Sequence, residues 1–349
     1  NLIIISLIYI LFICYNSVSL REYVILSIYL REKHEILRFF MKNALEIINL
    51  NKTYRNGFEA LKNINLEIKS GDFFAFLGPN GAGKSTVIGI ISSLVTISSG
   101  NVKVLDEDIK DNPDWAKKNI GIVPQEYNLN QFIPIQETML NVGGYFGITR
   151  ENAQERTYEL FSKLGIWDKR DLTPRELSGG MKRRLMIARA LIHKPNILIL
   201  DEPTAGVDTE LRLTMWDFFQ EINKKGVTII LTTHYLEEAE RLCKNLAIIH
   251  KGEIIQNSSM ADIYNMKKNK TYLVKSSNKI SSDMKLDSFN IDVLDEYTIE
   301  ITCDNKFNIS DIINELNKKN ISVLNIINKR NQLEELFMEL TNAGVSDDS

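Results

Sequence analysis

The chain has 349 residues, 44% of them hydrophobic and 25% charged, which suits one large globular domain plus a smaller one. A formal net charge of -3 gives no support for binding a phosphate backbone, so no nucleic-acid partner is expected. The three cysteines, Cys14, Cys243 and Cys303, make neither a CxxC pair nor an even framework, which fits a reducing cytosol and no zinc site.

Residues 1–40 differ in texture from the rest. The run 2–15 is almost unbroken apolar, interrupted only by Ser6. It is shorter than the roughly 20 residues a membrane helix needs. It has no basic residues ahead of it and no clear small-residue cleavage site. The first methionine is Met41, and a regular globular pattern follows it at once. The expectation is that 1–40 is upstream sequence and that the true start is Met41. The competing reading is a membrane-surface or hairpin anchor built from 2–15 and 23–30.

Alternation over 44–50 and 64–68 predicts two strands joined by a turn at Asn56-Gly57. Residues 73–77 form a short continuous apolar run, the pattern of a strand buried on both faces of a parallel sheet. Similar runs occupy 120–123, 197–200, 227–231 and 246–250. Helical patterns lie between them at 84–93, 152–164, 180–192, 211–224 and 236–243. Strands alternating with helices predict an α/β fold with a mostly parallel core sheet. Residues 126–177 are mainly helical and interrupt the alternation as an inserted subdomain. From 258 to 341 prolines vanish and Lys and Asn rise. Strands at 271–275, 290–294, 297–302 and 321–327, with helices at 310–319 and 332–340, predict a small α+β C-terminal domain. The polar tail 342–349 is expected to be disordered.

Gly78-Pro79-Asn80-Gly81-Ala82-Gly83-Lys84-Ser85 fits G-x-x-x-x-G-K-[ST] in full, after a buried strand and at the opening of a helix. Its glycines let the backbone curl so that successive N–H groups face phosphate oxygens. The helix N-terminus adds the positive end of its dipole. Lys84 supplies a mobile charge for the β- and γ-phosphates, the Ser85 hydroxyl a ligand for Mg²⁺, and Thr86 a further phosphate contact. The strand 197–200 runs into Asp201 and Glu202. Alternation aims these carboxylates at opposite sides, which suits Asp201 to the Mg²⁺ shell and Glu202 to the attacking water. Leu177-Ser178-Gly179-Gly180 precedes another helix. Ser178 can cap it, and the paired glycines let an anion approach its free N–H groups.

A phosphate loop, then LSGG, then an apolar strand ending in Asp-Glu resembles the ATP-binding-cassette (ABC) ATPase family. The likeness covers about 44–258, so 41–257 is expected to be a P-loop ATP-binding domain with the helical subdomain at 126–177. Four further positions match in order. Gln125, after Pro124, matches the Q-loop glutamine and implies a Mg²⁺-sensing and catalytic role. His234, after Thr232-Thr233, matches the switch histidine that holds the γ-phosphate. Asp208 matches the D-loop aspartate. Tyr54, in Lys52-Thr53-Tyr54, matches the aromatic that stacks on adenine; the plainer alternative is that it covers the small antiparallel sheet. Met181 stands where glutamine is frequent. The run Leu177–Arg184, LSGGMKRR, and the closing segment 331–337 resemble the ABC-2-type exporter branch.

The resemblance implies a head-to-tail pair of copies. Each ATP would lie on the phosphate loop of one copy and under Ser178, Gly179, Gly180 and Asp208 of the other. It also implies a multi-span permease on a separate polypeptide and a peripheral position at the cytoplasmic face of the membrane. Two alternatives compete with the exporter reading. One is a non-transport ABC ATPase acting on ribosomes or nucleic acid. Its relatives usually carry two cassettes or a long coiled coil, for which the interval from Lys84 to Ser178 has no room. The other is the ATPase subunit of an importer.

Overall fold

The computed structural model describes residues 43–266, 269–281, 284–286, 289–304, 306–328 and 332–342. The apolar leader, the expected start at Met41 and the tail beyond 342 lie outside the described residues.

Apolar alternation pairs the first two strands. Leu45, Ile47 and Leu50 on β1 (Asn43–Thr53) lie opposite Ile68, Leu66 and Ile64 on β2 (Glu59–Lys69). β3 (Phe73–Leu77) is buried at every position and runs through the phosphate loop into α1 (Lys84–Ile91). β4 (Ser99–Val104) and β5 (Glu107–Asp108) complete a four-stranded antiparallel sheet in the order β2-β1-β4-β5. α2 (Pro113–Asn119) starts at an Asn112 side-chain cap with proline in its first turn, and it leads into β6 (Ile120–Val123).

The helical insert follows, with α3 (Ile135–Tyr145) and α4 (Arg150–Lys163), before α5 (Gly179–Leu191) returns to the sheet. β7 (Ile197–Asp201), α6 (Thr209–Lys224), β8 (Thr228–Thr233), α7 (Leu236–Leu242) and β9 (Asn245–His250) continue the alternation. β10 (Glu253–Ser259) and α8 (Met260–Met266) close this part. The core sheet has six strands in the order β10-β9-β3-β8-β7-β6; β10 is antiparallel and the others are parallel.

β3 divides its side chains between two cores. Phe73, Ala75 and Leu77 pack with α5, α6 and the insert, while Phe74 and Phe76 pack under the antiparallel sheet with α1. Each of the three phenylalanines and Leu77 contributes about 1.5–3 kcal/mol by leaving water, so the strand is anchored from both faces. This fixes the level at which the phosphate loop emerges.

The C-terminal module holds β11 (Asn269–Ser276), β12 (Asn290–Asp295), β13 (Thr298–Asp304), α9 (Ile309–Lys318) and β14 (Val323–Asn328). Its strands form an antiparallel sheet, β12-β13-β11-β14. Ile312 and Leu316 of α9 pack on Val274, Ile299 and Ile301. α10 (Gln332–Asn342) leaves the module and comes back to the ATPase core beside α7 and α8. There Leu333 is fully buried in the core, and Leu336, Phe337 and Leu340 pack against the same core.

Candidate functional site

The carboxyl ends of four adjacent parallel strands collect the predicted residues. β3 ends at Gly78, β8 at Thr233-His234, β7 at Asp201-Glu202 and β6 at Pro124-Gln125. The registers Leu77↔Thr233, Asp201↔Thr232 and Val123↔Leu200 put these ends at one level. Ligands of open α/β sheets bind at such an edge.

The phosphate loop, Gly78 to Thr86, wraps the start of α1. Gly78 lies against the chain so closely that an added Cβ would meet the Ile249 carbonyl oxygen at 2.4 Å. Gly83 sits at the helix N-cap with φ 117°, a left-handed conformation that favours glycine. Lys84 is almost buried, and its Nζ donates to the carbonyls of Gly78 at 2.6 Å and Pro79 at 3.1 Å. Burial pushes its pKa down, and the carboxylates of Glu202 and Asp201 oppose that shift. The ammonium therefore rests inside the curl of the loop, facing both acids. Tyr54 is half-exposed at the loop's flank, with its hydroxyl 3.3 Å from Thr86 Oγ1.

Glu202 is the most constrained group of the site. β7 ends at Asp201, and Glu202 takes φ 47°, so the two carboxylates diverge by a left-handed turn rather than by continued strand alternation. The Glu202 N–H donates to the Thr232 carbonyl at 2.9 Å, which holds that turn. Its carboxylate is bracketed. Gln125 Nε2 donates to Oε2 at 3.1 Å, and His234 Nδ1 lies 3.2 Å from Oε1. Asp201 accepts a hydrogen bond from the Thr232 hydroxyl. Thr232 thus fixes both acids, although nothing in its sequence position distinguishes it from other strand residues.

The donor set suits a hard cation. Ser85 offers a hydroxyl, Asp201 a carboxylate, and Gln125 its amide oxygen once the amide nitrogen is on Glu202. Magnesium keeps few protein ligands and completes its shell with water and substrate phosphate.

Ser178, Gly179, Gly180 and Asp208 form a second cluster, with no hydrogen bond to the phosphate loop among the described residues. Ser178 accepts from the Met181 N–H at 3.3 Å and caps α5. Asp208 caps α6 by accepting from the Leu211 N–H at 2.9 Å. Leu211 also joins the two caps, because a Cβ on Gly180 would fall 2.5 Å from its Cδ2. His193 and His250 stay apart from both clusters. His193 stacks on Phe146 at 3.8 Å, and His250 ends β9.

Glu238 was not predicted from the sequence. It is fully buried on α7, four residues past His234. Its Oε1 accepts from the Thr204 hydroxyl at 3.0 Å and from Trp216 Nε1 at 2.9 Å. It therefore ties the loop between Glu202 and Asp208 to α6 and to the helix after His234. Its only signal was a carboxylate in the apolar stripe it shares with Ala239 and Leu242. Burial raises its pKa above the ordinary glutamate value. The folded state holds the proton more tightly, so this contribution is complete below the unfolded pKa and is lost as pH rises through the folded one. Glu238→Gln keeps the acceptor and removes the charge. The melting temperature of native protein relative to Glu238→Gln is expected to fall as pH rises from about 5 to about 8. A difference independent of pH would show that Glu238 does not titrate in this window.

Sequence and structure comparisons agree on one family. The ABC transporter family profile matches residues 61–205. The chain is 39% identical over 215 residues to the Nod factor export ATP-binding protein I of Cupriavidus metallidurans, covering 62% of this chain and 71% of that one. It is 40% identical over 219 residues to a linearmycin resistance ATP-binding protein of Bacillus subtilis, covering 63% and 70%. Among solved structures it is similar to cbiO1 from Clostridium perfringens, part of the ABC transporter complex cbiONQ. The TM-score is 0.59 at 29% identity, covering 64% of this chain and 92% of that one. It is also similar to a dimeric ATP-binding cassette in a post-hydrolysis state with ADP and Pi. There the TM-score is 0.58 at 28% identity, covering 62% and 98%.

Proposed function

Because this chain belongs to the ABC transporter family and is one of its ATPases, we propose that it powers an ABC-2-type export complex through ATP-driven closure of two copies. The observation that carries the reading is the bracket on Glu202, a nearly buried carboxylate held by Gln125 and His234 at the mouth of the phosphate loop. ATP lies on Gly78–Thr86, with Tyr54 against its adenine and Lys84 released from the loop carbonyls onto the β- and γ-phosphates. Ser85, Gln125 and Asp201 would hold Mg²⁺ there, and a bound ion would supply neutralisation of the charge that develops on the phosphates. Glu202 takes the proton of the attacking water, and His234 holds the γ-phosphate so that water and phosphorus stay in line. The cluster of Ser178, Gly179, Gly180 and Asp208 closes on the ATP of the second copy. Hydrolysis and phosphate loss remove that contact and let the pair open.

Export is supported by the likeness to a Nod factor export ATP-binding protein and by the LSGGMKRR sequence. A groove beside the helical insert, lined by Ile91, Lys117, Ile122, Val142, Tyr145 and Phe146, suits a permease helix. Tyr145 stands at its rim, 88% exposed. No helix among the described residues is long and apolar enough to cross a membrane. On this reading the path belongs to a separate permease, with this subunit peripheral on the cytoplasmic face. The test is to capture the native protein from solubilised membranes and identify its companions by mass spectrometry. A multi-span permease at near-equal stoichiometry is expected. Ribosomal proteins or nucleic acid without a permease would move the function to the non-transport reading, and a companion solute-binding protein would move it to import.

A further inference from the structure

The segment after β6 is clipped at both ends to one face of α5. At its start, Arg183 Nη1 donates to the Pro124 carbonyl at 2.8 Å and Nη2 to the Gln125 carbonyl at 2.9 Å. At its end, the Tyr127 hydroxyl donates to the Gly179 carbonyl at 3.0 Å. The Arg183 guanidinium lies 5.1 Å from the Tyr127 ring centroid, which closes the figure. Gly179 and Arg183 are four residues apart, so both clips fall on the same helix face. Arg183 is only 2% exposed, and its bonds to carbonyls are strong where water is excluded.

Each side of this figure carries one half of an ATP site. The side chain of Gln125 reaches Glu202, while Gly179 follows the Ser178 cap. The Gln125 main chain, which sets how far its side chain can reach, therefore cannot shift without dragging the N-terminal turn of α5 or breaking the clips. We propose that Arg183 and Tyr127 are positioning residues that couple the two ATP sites of a closed pair. They convert occupancy sensed by Gln125 on one side into the placement of Ser178–Gly180 over the other copy's ATP. The proposal rests on the two-copy reading given under Proposed function. Coupling of this kind is reciprocal, and it appears as a Hill coefficient above 1 and no greater than the number of sites.

The test is the ATP dependence of hydrolysis by the full chain, native and with Tyr127→Phe, Arg183→Met or Arg183→Lys. Tyr127→Phe removes one hydroxyl from a half-exposed ring, so the fold is kept. The native coefficient is expected above 1. In Tyr127→Phe and Arg183→Met it should fall to about 1 and half-saturating ATP should rise severalfold, with the maximal rate of Tyr127→Phe within about twofold of native. Arg183→Lys, with one charged nitrogen for two carbonyls, should fall between. Unchanged cooperativity in Tyr127→Phe would overturn the coupling and leave only a loop anchor. A native coefficient of 1 in protein that pairs in ATP would overturn it too. If Glu202→Gln never pairs in ATP, the two-copy reading fails first and the coupling falls with it.

Discussion

Glu202→Gln is expected to bind ATP, to accumulate as an ATP-held pair, and to turn over about 10²–10⁴-fold more slowly than native. The amide occupies the volume of the carboxylate and can still meet His234 Nδ1. It cannot accept a proton from water. The left-handed backbone at Glu202 and its N–H bond to Thr232 are untouched by the change, so the fold and the phosphate loop are preserved. Steady-state phosphate release measures the first effect, and light scattering behind a sizing column in ATP measures the second. Turnover at the native rate would remove Glu202 from the role of base.

Lys84→Ala is expected to weaken ATP binding by about 10²-fold. A hydrogen bond to a charged group contributes about 1.5–3 kcal/mol, and each 1.4 kcal/mol is tenfold in affinity. In the structure the ammonium bonds only the carbonyls of Gly78 and Pro79, so its loss leaves the surrounding core intact. Lys84→Arg is not expected to restore binding, because a planar guanidinium does not fit a space shaped for a compact ammonium. Nucleotide titration followed by fluorescence or calorimetry gives the result. An unchanged dissociation constant would mean that the phosphates lie outside this loop.

The parallel sheet was legible because its strands are short apolar runs buried on both faces, and the phosphate loop because glycine, lysine and serine have few substitutes there. The strands that escaped notice bury little of their length. β10 is half-exposed along its length, and β4 buries only Val102 and Val104 fully, so neither shows a strong period. α2 has no apolar stripe, with Asp114, Lys117 and Lys118 charged, and is held by its Asn112 cap and buried Ala116. In the site, the chemistry-bearing residues could be named from sequence order, whereas their holders could not. Thr232 is an ordinary threonine until the register places it beside Asp201. Arg183 is one of three consecutive basic residues, and only the helix phase buries it while Lys182 and Arg184 remain more open. Glu238 reads as a surface acid until Trp216 and Thr204 are folded over it.

The return of α10 gives the C-terminal module an unusual standing in synthesis. Leu333 is part of the ATPase core, yet it leaves the ribosome after every strand of the module. Chains fold as they emerge, N-terminal parts first, and exposed apolar surface in the waiting state promotes aggregation. The ATPase core can therefore collapse early but is sealed only by its last helix. A chain stopped anywhere within β11 to β14 would carry every residue of the catalytic site and still leave the apolar flank of α7 and α8 uncovered. Quality control would meet that flank before any loss of chemistry, so such truncations should vanish from cells as insoluble or degraded protein.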